Sequence, residues 1–208
     1  MCKIGILAYG SLLEYPGTEI QLLIDKRIEG VKTPFLIEFA RSSLSRDGAP
    51  TVIPVDEGGS AVMGAILVFK PTVSIENATN LLWRRETRNE NTNKHYKRPQ
   101  NPKVNQVIIE LLSNFYGVEK VLYTKIGSNI EDKTPTNLAQ LAIKSARGKP
   151  GEKCQDGIKY LVSLKRQNIS TPLMVAYEEE ILRITKTSSL KEAYIKIRQN
   201  PTEVFEDT

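Results

Sequence analysis

The chain has 208 residues, 40% of them hydrophobic, which suffices for one sizeable core and a smaller appendage. Its 29 Lys and Arg against 24 Asp and Glu leave a net charge of +5, with the acidic residues spread along the same segments, so anionic partners are tolerated but not required. Cys2 and Cys154 form no CxxC pair, and no stretch has the length of a membrane span or the pattern of a secretory signal. The expectation is a soluble, non-membrane protein in a reducing, cytoplasmic setting.

In chain order, "CKIGILAYG", "TPFLIEFARSS", "APTVIPVDE" and "SAVMGAILVF" are short β-branched and apolar runs divided by Gly, Pro and Asp, and they read as four strands. Between the first two, "TEIQLLIDKRIEG" spaces Ile20, Leu23 and Ile24 as a helix does and ends at Gly30, so a helix is predicted there. A stronger helix is predicted at roughly 74–88, with Ser74 as cap, Glu76 in the first turn and Ala78, Leu81 and Leu82 on one face. The segment 103–116 also reads as a helix, because Val104, Val107, Ile108, Leu111, Leu112 and Phe115 fall in register before Gly117. "EKVLYTKIG" reads as a last strand.

From Thr134 onward the texture is helical. Thr134 with Pro135 opens one helix, Thr171 with Pro172 another, and "SSLKEA" carries a capping box from Ser189 to Glu192. The final "QNPTEVFEDT" reads as a loose polar tail. The predicted domains are a core over 1–126 and a helical C-terminal extension, packed on that core, over 127–208.

Two places carry candidate chemistry. Glu86 follows Ala78 and Leu82 at eight and four residues, so its carboxylate projects from the stripe that should face the core. Burial strengthens a carboxylate as a base, which suits proton abstraction from an amine; pairing with Arg85, Arg88 or another cation is the structural alternative. The second place is Tyr9-Gly10-Ser11-Leu12 at the end of the first strand. Gly10 there permits either an ordinary turn or one whose successive N–H groups converge on an oxyanion or carboxylate.

Other chemistries lack their residues. His95 is the only histidine and Ser11 stands on no G-x-S-x-G elbow, which disfavours a serine hydrolase. No phosphate-loop or dinucleotide fingerprint and no His/Cys cluster at metal-ligand spacing occurs. The run from Arg84 to Arg98 gathers Arg84, Arg85, Arg88, Lys94, Lys97 and Arg98 around Tyr96, the composition of a nucleic-acid patch. Glu86 and Glu90 interrupt it, and nucleic-acid binding is the lesser reading.

Taken in order, "AYGSLL" (8–13), the strand run "VIPVDEGGSAVMGAILVF" (52–69) with Gly59, Val62 and Gly64, and "LLWRRE" (81–86) resemble the γ-glutamylcyclotransferase-like family. Tyr96 and Arg98 in "HYKR" look like the Tyr-x-Arg that often follows the Glu. "LAIKSARGKPGEKCQDGIKYLVSL" is similar to the helical tail of such proteins. Two departures stand out: Leu12 occupies a position where many members have Asn, and 103–116 reads as an inserted helix.

The resemblance implies an α+β fold with a mixed β-barrel-like core surrounded by helices and a cavity at the end of the first strand. It implies an enzyme of glutathione and γ-glutamyl metabolism, a cyclising acyltransferase or lyase, that releases 5-oxoproline from a small γ-glutamyl amide or peptide without metal or organic cofactor. Glu86 would be the general acid/base, with Tyr9, Gly10, Ser11, Leu12 and Tyr96 as substrate-binding residues. The alternative is a non-catalytic member of the fold that binds a small ligand.

Overall fold

The computed structural model describes residues 2–200. The chain divides into two compact units, Met1–Pro34 with Ala61–Gly127, and Phe35–Ser60 with Ser128–Thr208.

In the first unit, β1 (Ile4–Ala8), β2 (Ile24–Lys32), β5 (Met63–Phe69), β6 (Ile108–Phe115) and β7 (Val118–Lys125) form one sheet in the order β2-β5-β1-β7-β6. The central strand β1 is buried at all five residues, as its apolar run requires, and pairs antiparallel with β5 and parallel with β7. The sheet is mixed and not closed into a barrel: β2 and β6 are its edges. Its two sides nevertheless approach, because the N–H of Lys32 on β2 donates to the Tyr116 hydroxyl in the β6–β7 turn at 3.3 Å. On a flat sheet those elements would lie roughly 14–19 Å apart, three to four strand spacings, so the sheet is strongly curled.

Two predicted helices are corrected. Only Thr18–Gln21 of the 18–30 segment is helical, and β2 follows. Bulges between Ile24 and Lys26 and between Glu29 and Val31 break the two-residue alternation. The inward apolar positions then fall at 24, 28 and 31, a spacing that imitates a helix. The segment 103–116 contains β6, an edge strand joined to β7 by a two-residue turn, Tyr116-Gly117, with φ of 49° and 75°. Positive φ at both turn residues matches the twist of a hairpin, but Tyr in place of Asn hides the signal.

The helix predicted at 74–88 is present as α3 (Ile75–Glu86), preceded by the short α1 (Ser11–Glu14) and α2 (Thr18–Gln21). The Ser74 side chain accepts the N–H of Asn77, and Ala78, Leu81 and Leu82 join Ile6, Ala8, Leu12, Ile20 and Leu67 in one apolar core. α3 packs across β1, β6 and β7.

The second unit contains the hairpin β3 (Leu36–Ser43) and β4 (Ala49–Val55) with five helices: α4 (Pro135–Arg147), α5 (Lys149–Glu152), α6 (Gly157–Arg166), α7 (Met174–Thr185) and α8 (Leu190–Gln199). This hairpin lies within the 1–126 range expected to form the core domain, yet it groups with helices of 127–208. β4 packs on α4 and α6, and Phe39 of β3 meets Tyr177 of α7 edge-on with ring centroids 5.1 Å apart.

Thr134 caps α4 through the N–H of Asn137. The helix expected at Thr171 begins three residues later, because the Thr171 hydroxyl donates to Glu38 Oε1 at 2.5 Å and does not cap. Ser189 Oγ accepts the N–H of Glu192, while the Glu192 carboxylate reaches back to the N–H of Ser188 instead of that of Ser189. From Pro201 on, the expected tail lies outside the described residues; Gln199 belongs to α8. No described helix is long and apolar enough to cross a membrane.

Candidate active site

The end of β1 is turned by Gly10. Its φ of 56° and ψ of −132° place it in a region that a side chain would disfavour strongly, and glycine enters it freely. The chain then winds into α1, where the N–H groups of Leu13 and Glu14 both point back to the Gly10 carbonyl, at 3.2 and 3.4 Å. The N–H groups of Ser11 and Leu12 head this turn and so have no acceptor within it. The Leu12 side chain is buried in the core and Ser11 is half-buried, so this position presents backbone and not a large side chain. Gly64 at the start of β5 lies so close to the Ala8 carbonyl that a Cβ would overlap it, and that Cβ would stand 3.3 Å from the Tyr9 Cβ. Tyr9 is half-buried beside this contact.

Glu86 is the last residue of α3. Its stripe-mates Ala78 and Leu82 are fully buried, but at the helix end the stripe emerges from the core and the Glu86 side chain is 23% exposed. Its Oε1 lies 2.5 Å from Nη1 of Arg85. The same guanidinium donates through Nη2 to the carbonyls of Ser11 and Tyr15, at 2.8 and 2.7 Å, and through Nε to Tyr15 at 3.2 Å. Arg85 therefore ties the carboxylate of Glu86 to the turn that follows β1. The ion pair read from sequence as the structural alternative is present, formed by Arg85; Arg88 is exposed with φ of 56°.

Tyr96 is held from three directions. Its N–H donates to Asn80 Oδ1 at 2.7 Å, its hydroxyl accepts the N–H of Ile109 at 3.2 Å, and its ring lies 6.4 Å from that of Trp83. No hydrogen bond joins it to Glu86 or Ser11; its contacts place it between α3 and β6. Arg98 makes a two-pronged pair to Glu110, at 2.7 and 3.1 Å, which raises the pKa of the exposed Arg98. Arg84, nearly buried, grips Glu19 at 2.8 and 3.1 Å and also reaches the Lys94 carbonyl. The hydrogen bonds from Arg84 hold the Glu19 carboxyl below its ordinary range. Arg84 and Arg85 are thus largely buried and committed to internal partners, whereas Arg98, paired with Glu110, stays exposed.

No protein-family model matches the chain, and no curated protein matches it. Among solved structures, a yeast γ-glutamyl cyclotransferase described as specific to glutathione superposes with a TM-score of 0.53, over 87% of this chain and 98% of that one. Identity between the two is 15%. The chain has the γ-glutamylcyclotransferase-like fold.

Within this cyclotransferase-like fold, the turn at Tyr9 to Leu12 and Glu86 are brought together through Arg85, whereas Tyr96 stands between α3 and β6. Sequence reading passed over two residues that organise the region. Arg85 entered as a neutralising cation and as part of the basic run, although a long forked donor beside the carboxylate was a signal that several acceptors could be bound at once. Asn80 did not enter at all; a polar amide on the buried face of a helix has to find partners, and it found the N–H of Tyr96 and the Nδ1 of His95.

Proposed function

We propose that the chain is a γ-glutamyl cyclotransferase-type enzyme that releases 5-oxoproline from a small γ-glutamyl amide or peptide. The observation that carries this reading is the coupling of Glu86 to the Tyr9–Leu12 turn through one guanidinium. A proton acceptor and the N–H groups that head α1 would then serve the same substrate, as an amine attacking a carbonyl requires. The fold it shares with a glutathione-specific cyclotransferase agrees with that reaction class.

A γ-glutamyl compound carries its α-amine on the same chain as its γ-carbonyl, so holding that chain bent supplies much of the acceleration. The N–H groups of Ser11 and Leu12 would receive the carboxylate and the carbonyl oxygen, with Tyr9 and Gly10 shaping the turn. Glu86 would take a proton from the amine, whose nitrogen then bonds to the γ-carbon. As the tetrahedral centre collapses, the γ-amide C–N bond breaks, the departing amine receives the proton from Glu86, and 5-oxoproline is left. Tyr96 would line the side of the pocket next to α3. Both cysteines are free thiols in the fold, which suits the reducing cytoplasm proposed as the setting.

The test is a product assay with glutathione, γ-glutamyl dipeptides and γ-glutamyl amines, detecting 5-oxoproline, with Glu86→Gln alongside. The wild type should form 5-oxoproline, and the variant should lose about 10²–10⁴-fold in kcat with an unchanged melting profile. Ligand binding without product in the wild type would favour the small-ligand-binding alternative.

A further inference from the structure

The geometry points to Arg85 as the positioning residue of this site: it selects which oxygen of Glu86 handles the proton and holds the carboxylate in register with the substrate turn. The inference rests on Glu86 being the acid/base. Residues adjacent in a helix project about 100° apart and do not ordinarily face each other. Arg85 is drawn from the last turn of α3 to the carbonyls of Ser11 and Tyr15, and Glu86 pairs with the guanidinium held there.

A donor count then separates positioning from substrate binding. A guanidinium has five N–H groups. In Arg85 the Nε–H goes to the Tyr15 carbonyl, the two Nη2–H groups to the carbonyls of Ser11 and Tyr15, and one Nη1–H to Glu86 Oε1. One N–H remains, too few to receive a substrate carboxylate with two prongs. With its side chain only 14% exposed, Arg85 is not placed as a free anion receptor. Its effect on the reaction runs through the groups it holds. Because Oε1 is occupied by Arg85, Oε2 is the oxygen left to accept the amine proton and return it. A lysine could meet one of these acceptors but not bridge them, since its donors radiate from a single point.

The experiment measures 5-oxoproline kinetics for the wild type, Arg85→Ala and Arg85→Lys, with added guanidinium as a rescue agent and with amide exchange of the full-length proteins. For Arg85→Ala, kcat should fall about 100-fold, the scale of a misplaced reacting group. KM should move by less than about threefold, because ground-state binding is not what Arg85 supplies. Millimolar guanidinium should restore part of the loss in Arg85→Ala and none in Arg85→Lys, which should remain impaired. The amides of Leu13, Glu14 and Tyr15 should exchange faster in Arg85→Ala while those of β1 stay protected. An Arg85→Ala variant with undiminished kcat, or one whose loss follows a fall in melting temperature and ignores guanidinium, overturns the positioning role and leaves the proposed reaction standing. A wild type that forms no 5-oxoproline from any compound overturns the proposed reaction and the positioning role with it.

Discussion

Asn80 Oδ1, on the buried face of α3, accepts the backbone N–H of Tyr96 at 2.7 Å, while its amide Nδ2 faces the Nδ1 of His95 at 3.1 Å. One side chain thereby lays the segment after α3 along the helix that carries Glu86. Replacing Asn80 by Ala would leave the Tyr96 N–H without its acceptor. The expected cost is about 1–3 kcal/mol in urea unfolding, the range for a buried group stripped of its partner. Amide exchange should also show lost protection at Tyr96 and at Ile109, whose N–H depends on the Tyr96 hydroxyl. Unchanged protection at both would show that the segment is held by other contacts.

The contact of Gly64 with the Ala8 carbonyl yields a second prediction. In Gly64→Ala the added methyl meets backbone, which cannot swing aside as a flexible side chain would. Overpacking of this kind costs typically about 1–3 kcal/mol. Because the strain is released at Ala8 and Tyr9, the proposed formation of 5-oxoproline should drop more than stability does. A thermal melt and a 5-oxoproline assay on the same preparation would measure the two effects together.

The pair between Arg84 and Glu19 makes the first unit sensitive to acid. The hydrogen bonds from Arg84 lower the folded-state pKa of Glu19, so this carboxylate binds its proton less readily in the folded chain than in the unfolded one. Its contribution to stability is therefore fully present above the ordinary glutamate value, and it is lost as pH falls through the depressed folded value. Glu19→Gln should be less stable than the wild type at neutral pH. The expected difference lies between about 1 kcal/mol for an exposed pair and about 3–5 kcal/mol for a fully buried one. Denaturant unfolding at a series of pH values should show that difference shrinking only below about pH 4, the acid side of the ordinary carboxylate range. A gap of constant size down to pH 2 would mean that the pair has no such linkage.

In the second unit, Glu38 is a buried carboxylate on β3 that accepts from the N–H of Leu173 at 3.0 Å, the N–H of Phe39 at 2.8 Å and the hydroxyl of Thr171. It holds the chain just ahead of α7. Glu38→Ala would orphan three donors at once and should destabilise the unit by about 3 kcal/mol or more. Glu38→Gln keeps one acceptor oxygen and should cost less. Comparing the urea midpoints of the two variants checks the order.

Features whose cause lies within a few residues are legible in the chain alone. Ser74 and Thr134 start helices because their side chains bond N–H groups three positions on, and β1 reads as a strand because its residues are β-branched and apolar up to the turn at Gly10. The motifs around Gly10 and Glu86 are legible for the same reason: each is a local arrangement of residue types. Features that depend on distant partners emerge only when the chain has folded. β2 and β6 are strands because β5 and β7 supply their hydrogen bonds, and bulges in β2 give its apolar residues a helical spacing that no local rule corrects. The residues 35–60 join the C-terminal helices through packing that their own pattern does not encode. Arg85 ties Glu86 to Ser11, 74 positions before the arginine, because a guanidinium on α3 meets its acceptors only where folding has brought the end of β1 beside the end of that helix.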